Sequence, residues 1–159
     1  IIMAAKIRGS GNVVAVDTSS SKKTLAHQMG ADEFFESLQV LSKTFDLIVD
    51  TTGHQEIIKE AISLLSNRGR FFLVGQPEPH TNLIIRDGLR LFNGRGQSIR
   101  ATQGGGALPE EDIPRYLDLF ENRRIGIDKL VTHRFSLERI NEAFDTLKNG
   151  NAGRIIIRF

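Results

Sequence analysis

The sequence predicts an α/β fold, a parallel sheet with flanking helices. Three observations carry that prediction. Short apolar runs at residues 13–17, 45–50 and 70–74 have the length and the β-branched or aromatic content of strands covered on both faces. Segments with helical spacing alternate with these runs, which is the order of parallel strand–helix–strand units. Glycines stand at the joints, as Gly30, Gly53, Gly69 and Gly75. With 159 residues, 40% of them apolar and 25% charged, the chain can bury a core of ordinary size.

The elements follow in order. Residues 1–8 are mostly apolar without amphipathic spacing, which predicts a helix covered on most sides. Gly9-Ser10-Gly11 ends it, and residues 13–17 form the first strand. Ser19, Ser20 and Ser21 are N-cap candidates for a helix carrying Leu25, Ala26 and Met29, closed by Gly30. Phe34 and Phe35 mark a short edge strand. Residues 45–50 are a buried strand, Thr51-Thr52-Gly53 a turn, and residues 55–65 a helix with Ile57, Ile58, Ala61, Ile62 and Leu65 on one face. Residues 70–74 are a strand broken by Gly75-Gln76-Pro77. Residues 78–93 are irregular apart from one helical turn near Leu89 to Phe92, and residues 97–102 are a strand. Gly104-Gly105-Gly106 precedes a helix over residues 110–121. Residues 127–131 read as loop. Ser136 caps a helix with Leu137, Ile140, Ala143, Phe144 and Leu147 inward, Gly150 ends it, and residues 154–159 are a terminal strand.

Composition excludes several function classes. A net charge of +2 argues for neither nucleic acid nor an anionic membrane. Arg86, Arg90, Arg95 and Arg100 form a loose basic stretch, but only Phe92 is interleaved, so no stacking platform for bases results. Without cysteine there is no disulfide, thiolate metal site or thiol nucleophile. His27, His54, His80 and His133 are scattered and lack ligand spacing, though His54 stands beside the turn at Gly53. No nucleophile–base pair is visible. The triple glycine reads as a turn rather than a phosphate cradle, because Glu110, Glu111 and Asp112 fill the next helical turn and would repel a phosphate. No apolar run is long enough for a membrane span and no signal peptide is evident, so the sequence reads as a soluble, cytoplasmic protein.

One acid points to a ligand. In dinucleotide-binding units the second strand ends in a carboxylate that accepts the adenosine ribose hydroxyls and repels a 2′-phosphate, selecting NAD over NADP. Asp17 stands at such a strand end. Local pattern alone leaves an N-cap or loop acid equally open, and a methyltransferase holds its cofactor ribose with a similar acid.

The order of further segments resembles the coenzyme-binding half of medium-chain, zinc-dependent alcohol and polyol dehydrogenases. The segments are Val13-Val14-Ala15-Val16-Asp17, Met29-Gly30-Ala31-Asp32, Phe45-Asp46-Leu47-Ile48-Val49-Asp50-Thr51-Thr52-Gly53 and Gly69-Arg70-Phe71-Phe72-Leu73-Val74-Gly75. A C-terminal run completes them, from Asp112 through Thr132-His133-Arg134-Phe135 to Ile140-Asn141-Glu142-Ala143-Phe144. The resemblance implies a Rossmann-type domain binding NAD, over residues 1–125, and a segment over residues 126–159 that packs on a separate catalytic domain. It implies that Asp17 and Lys22 hold the adenosine ribose and that Thr51, Thr52 and Gly53 form the turn beside the adenosine. Val74 and Gly75 then face the nicotinamide, Ala101, Thr102 and Gln103 bond its carboxamide through backbone groups, and Arg154 reaches the pyrophosphate. It implies a small alcohol or carbonyl substrate, a homo-oligomer formed along the outer strand at residues 97–102, and zinc held by residues that this sequence does not contain.

The family's first strand and its glycine-rich turn would precede Ile1, so the fold expected here is truncated at its N-terminus. In the strand order 3-2-1-4-5-6 the first strand is central. Its absence would leave a gap of about 9–10 Å and unpaired backbone groups costing about 1–3 kcal/mol each. The expectation is that another segment, a second copy or a shifted register fills the gap. A non-catalytic module that makes contacts through its strand edges is the alternative to a dehydrogenase part.

Overall fold

A computed structural model describes residues 1–102, 104–150 and 152–159. In chain order the elements are α1 (Ile2–Ile7), β1 (Val14–Val16), α2 (Lys23–Gln28), β2 (Glu33–Phe35), β3 (Phe45–Asp50), α3 (Gln55–Ser63), β4 (Leu65–Leu73), β5 (Ser98–Ala101), α4 (Pro109–Glu121), β6 (Val131–Ser136), α5 (Ile140–Lys148) and β7 (Arg154–Arg158). Every ladder is parallel, in the orders β1-β2, β3-β4-β5 and β6-β7. The α/β expectation holds: parallel strands alternate with helices along the chain. The chain divides into two compact units, Ile1–Ser37 with Pro109–Phe159, and Leu38–Leu108. Among the described residues no helix is long and apolar enough to cross a membrane.

In the first unit β1 and β2 pair Val14 with Glu33 and Val16 with Phe35. The Asp32 carboxylate anchors this pair, accepting the Val13 N–H at 2.7 Å and Lys6 Nζ at 2.6 Å. The Lys6 stem crosses Gly30, where a Cβ would lie 3.0 Å from its Cγ and where φ is +105°. That backbone is the left-handed turn that ends α2.

Lys6 and the Val13 N–H hold the Asp32 carboxyl below its ordinary value of 3.8. A depressed native pKa means that ionised Asp32 supports the fold above the ordinary value, and that this support is lost as pH falls through the lower native one. Asp32→Asn is therefore expected to lower the melting temperature at neutral pH. Its difference from the parent should fade as the pH falls below the ordinary carboxylate value and through the lower native one. Melts followed by circular dichroism check this, and a difference that persists in acid would exclude the ion pair as its source.

Several expectations for this unit are corrected. α1 has no buried residue, and residues 13–17 are only partly covered, with Val16 exposed. The serines before α2 form a 3-10 turn (Ser20–Lys22) without a side-chain cap. Residues 131–136 are strand β6, with Val131 at the end expected to be loop, and with β7 they make a β–α–β unit around α5. Ser136 makes no cap hydrogen bond, because its hydroxyl binds the Glu138 carboxylate and holds that group's pKa down. Of the residues expected inward on α5 only Ala143 is buried, while Leu137, Phe144 and Leu147 are exposed. α4 likewise exposes Ile113, Tyr116, Leu117 and Phe120 along one row.

In the second unit β4 lies between β3 and β5, with Ile48 opposite Phe71 and Phe71 opposite Ile99. This row faces α3, whose Ile58, Ala61 and Ile62 close over Leu65 and the fully buried Phe71. Alternation sends Leu47, Val49 and Phe72 to the other face, where Val49 and Phe72 are only partly covered and Leu47 is exposed. The expectation of a strand buried throughout residues 45–50 is corrected accordingly. α3 ends at Ser63, and Leu65, expected at its end, begins β4 opposite Phe45. The register then jumps to Leu47 opposite Arg70 across a bulge in which Arg68 has φ of 62°. Gln97 ties the start of β5 to β4 by donating its Nε2 to the carbonyls of Leu65 and Ser66 at 2.9 and 3.0 Å.

Candidate functional site

β3, β4 and β5 all end at the same edge of their sheet, where parallel sheets bind ligands. A hollow of about 390 Å³ opens there, lined by Gly53, Gln55, Ile58, Leu73, Val74, Gly75, Gln76, Pro77, Thr81, Leu83, Ala101 and Thr102. That volume suits one small organic group, and no side chain in the lining carries a charge.

The walls are built from backbone. Asp50, the last residue of β3, is buried. Its Oδ1 accepts the Thr52 N–H at 3.0 Å and the Thr52 hydroxyl at 2.6 Å, and its Oδ2 accepts the Gly53 N–H at 2.9 Å. The Asp50 carbonyl accepts the N–H groups of Val74 and Gly75 at 2.9 and 3.0 Å. Gly53 has φ of +70°, and a Cβ on it would meet the Gln76 carbonyl oxygen at 2.5 Å. A Cβ on Gly75 would stand 2.2 Å from the Gly53 nitrogen and 2.6 Å from the Thr51 carbonyl carbon. The two turns are thus in direct backbone contact, which only glycine permits. Thr102 joins them by donating its N–H to the Leu73 carbonyl at 3.1 Å.

In the first unit Asp17 follows β1 directly. Its Oδ1 accepts the Ser19 N–H at 2.9 Å and its Oδ2 meets Lys22 Nζ at 2.9 Å. The two side chains are 33% and 35% exposed, so the carboxylate keeps acceptor positions open to solvent.

Of the residues singled out in the sequence, Gly53, Val74, Gly75, Ala101 and Thr102 therefore share one hollow. Thr51 and Thr52 are exposed on the turn that carries Gly53. Asp17 and Lys22 form one ion pair. Arg154 opens β7 opposite Val131, exposed and outside any ion pair among the described residues. Gln103 lies outside the described residues.

Sequence reasoning missed Asp50. Its signal is an acid at a strand end, two residues before a threonine and three before a glycine, which is the pattern of a side chain capping its own turn. It also missed Gln76, Pro77, Thr81 and Leu83, which come from a stretch without periodicity. His54 donates its backbone N–H to the Thr52 hydroxyl at 3.1 Å, and its carbonyl accepts the Ile58 N–H at 3.0 Å. His133 bonds the Thr132 hydroxyl through Nδ1 at 2.9 Å and stacks on Phe135. Among the described residues no group of three or more His, Asp or Glu side chains is placed to hold a metal ion.

Comparison with known proteins agrees with this geometry. Alcohol dehydrogenase 6 of Peromyscus maniculatus is 28% identical over 99% of this chain and 44% of its own length. The NDMA-dependent alcohol dehydrogenase of Amycolatopsis methanolica is 28% identical over 98% of this chain and 45% of its own. The crystal structure of benzyl alcohol dehydrogenase from Acinetobacter calcoaceticus superposes with a TM-score of 0.88 at 26% identity, covering 99% of this chain and 45% of that one. The chain thus spans somewhat under half the length of these relatives. Residues 1–122 match the family model described as zinc-binding dehydrogenase, and the chain belongs to that family.

Proposed function

We propose that the chain is the NAD-binding part of an oxidoreductase that transfers hydride between a small alcohol and NAD. The observation that carries this reading is the uncharged hollow at the carboxyl ends of β3, β4 and β5, walled by two glycines in backbone contact. Its size and neutrality fit a nicotinamide ring and its carboxamide, and a Cβ on Gly53 or Gly75 would already meet backbone. In this reading Val74 and Gly75 support the ring, Ala101, Thr102 and Gln103 lie at its carboxamide, and Thr51, Thr52 and Gly53 form the adjoining turn. Asp17 and Lys22 hold the adenosine ribose, and Arg154 takes the pyrophosphate. When bound, NAD supplies the hydride acceptor. The chain's own groups bind and orient it, and Ile58, Leu73 and Leu83 keep water from one side of the hollow. Among the described residues no group of side chains is placed to hold the family's zinc. The same reading divides the chain at residues 125 and 126 and pairs two copies along β5, the last strand in the order β3-β4-β5.

Titration with NADH, followed by nicotinamide fluorescence, tests the reading. The chain is expected to bind NADH more tightly than NADPH. Asp17→Ala is expected to weaken NADH about tenfold, near 1.4 kcal/mol, and to narrow that preference. If neither the parent nor the variant binds, the dehydrogenase reading fails. The alternative then gains, a module that makes contacts through its open strand edges.

A further inference from the structure

We propose that Asp50 is a positioning residue that sets the shape of the hollow's mouth, and through it the affinity for the nicotinamide end of the cofactor. The inference rests on reading the hollow as the nicotinamide site. Asp50 is bonded to both turns: its carboxylate takes three donors from Thr52 and Gly53, and its carbonyl takes the N–H groups of Val74 and Gly75. It is only 6% exposed and its bond to the Gly53 N–H is buried, so losing that acceptor leaves a buried donor without a partner.

The geometry requires a carboxylate. Both oxygens act as acceptors, and a carboxylate has no donor. In Asp50→Asn one acceptor becomes an NH₂ group. With its oxygen on Thr52, that group faces the Gly53 N–H, donor against donor. Gly53 must then move, and it cannot move alone. Its Cα packs against the Gln76 carbonyl, and the Gly75 Cα packs against its nitrogen, at distances that admit no further atom. The displacement therefore reaches Gly75 and Gln76, which line the hollow. The Ser19 N–H and Lys22, which hold Asp17, have no part in this network.

The test compares two ligands by calorimetry on the full chain. NADH carries the nicotinamide riboside, whereas ADP carries only the adenosine and both phosphates. Asp50→Asn is expected to weaken NADH about tenfold while ADP affinity stays, so the ratio of the two affinities collapses. Ile62→Val, in the core but outside the hollow, supplies a destabilised control that keeps the ratio. Should Asp50→Asn fail to fold, Thr52→Val removes the hydroxyl that donates to Asp50 and accepts the His54 N–H, leaves the Gly53 N–H on the carboxylate, and is expected to move the ratio in the same direction by less. An unchanged ratio, an equal loss of both ligands, or the same collapse in Ile62→Val overturns the positioning role and leaves the NAD reading standing. If the parent chain does not bind NADH, the NAD reading itself fails and the positioning role falls with it.

Discussion

Gly75→Ala is expected to cost more than about 3 kcal/mol and to erase the hollow at the ends of β3, β4 and β5. The cause is space. Gly75 has no positive φ, so its backbone would accept a side chain. The three nearest atoms to such a Cβ all belong to the main chain of Thr51, Thr52 and Gly53, at 2.2 to 2.6 Å. No rotamer change relieves such a clash. Either β4 withdraws, breaking the bonds of Val74 and Gly75 to the Asp50 carbonyl, or the turn lifts away from the Asp50 carboxylate. A loss of this size is a large part of the roughly 5–15 kcal/mol that holds a domain together. Gly11→Ala is the contrasting case, since a Cβ there meets nothing within 4 Å and its φ is not positive. Urea unfolding is expected to show an early midpoint for Gly75→Ala and an unaltered one for Gly11→Ala.

The second large effect is expected at Phe71. Its side chain has no exposed area, and it sits in the row between Ile48 and Ile99, beneath Ile58 and Ile62. Phe71→Ala removes the ring from a site whose walls are two ladders and a helix, which relax only partly. The expected loss is about 3–5 kcal/mol, part from transfer and part from the cavity. Phe71→Leu keeps most of the volume and is expected to lose clearly less. The urea midpoints of the two variants measure the difference. Equal losses would show that ring shape, rather than filled volume, sets the cost.

The fold was legible where period and punctuation agree. β3 shows as a run ending in Asp50, α3 as the spacing of Ile58, Ala61 and Ile62, and the turn at Gly30 as a glycine after Met29. Leu65 misled because it continues the helical spacing and enters the same core, although its backbone is already in β4. β6 escaped because its inward residues, Val131, His133 and Phe135, alternate with polar ones while the middle one is itself polar. The exposed Leu47, Phe144 and Leu147 show a limit of pattern reading: apolar residues mark a face, and nothing local tells whether this chain covers it. In the candidate site the glycines were visible through their order along the chain. The far wall, from Gln76 to Leu83, was not, because that stretch has no helix or strand and so no hydrophobic period to read.

The first unit is interrupted in the chain by the whole of the second. Leu38–Leu108 is continuous, so its three strands and α3 need only neighbours in sequence, and they can assemble as soon as that stretch has left the ribosome. The outer unit must wait for residues 109–159 and then close a long loop, a slow event that early assembly of the inner unit shortens. Maturation is therefore expected to run from the middle outward, with β1, which Asp17 follows, among the last to reach its final surroundings.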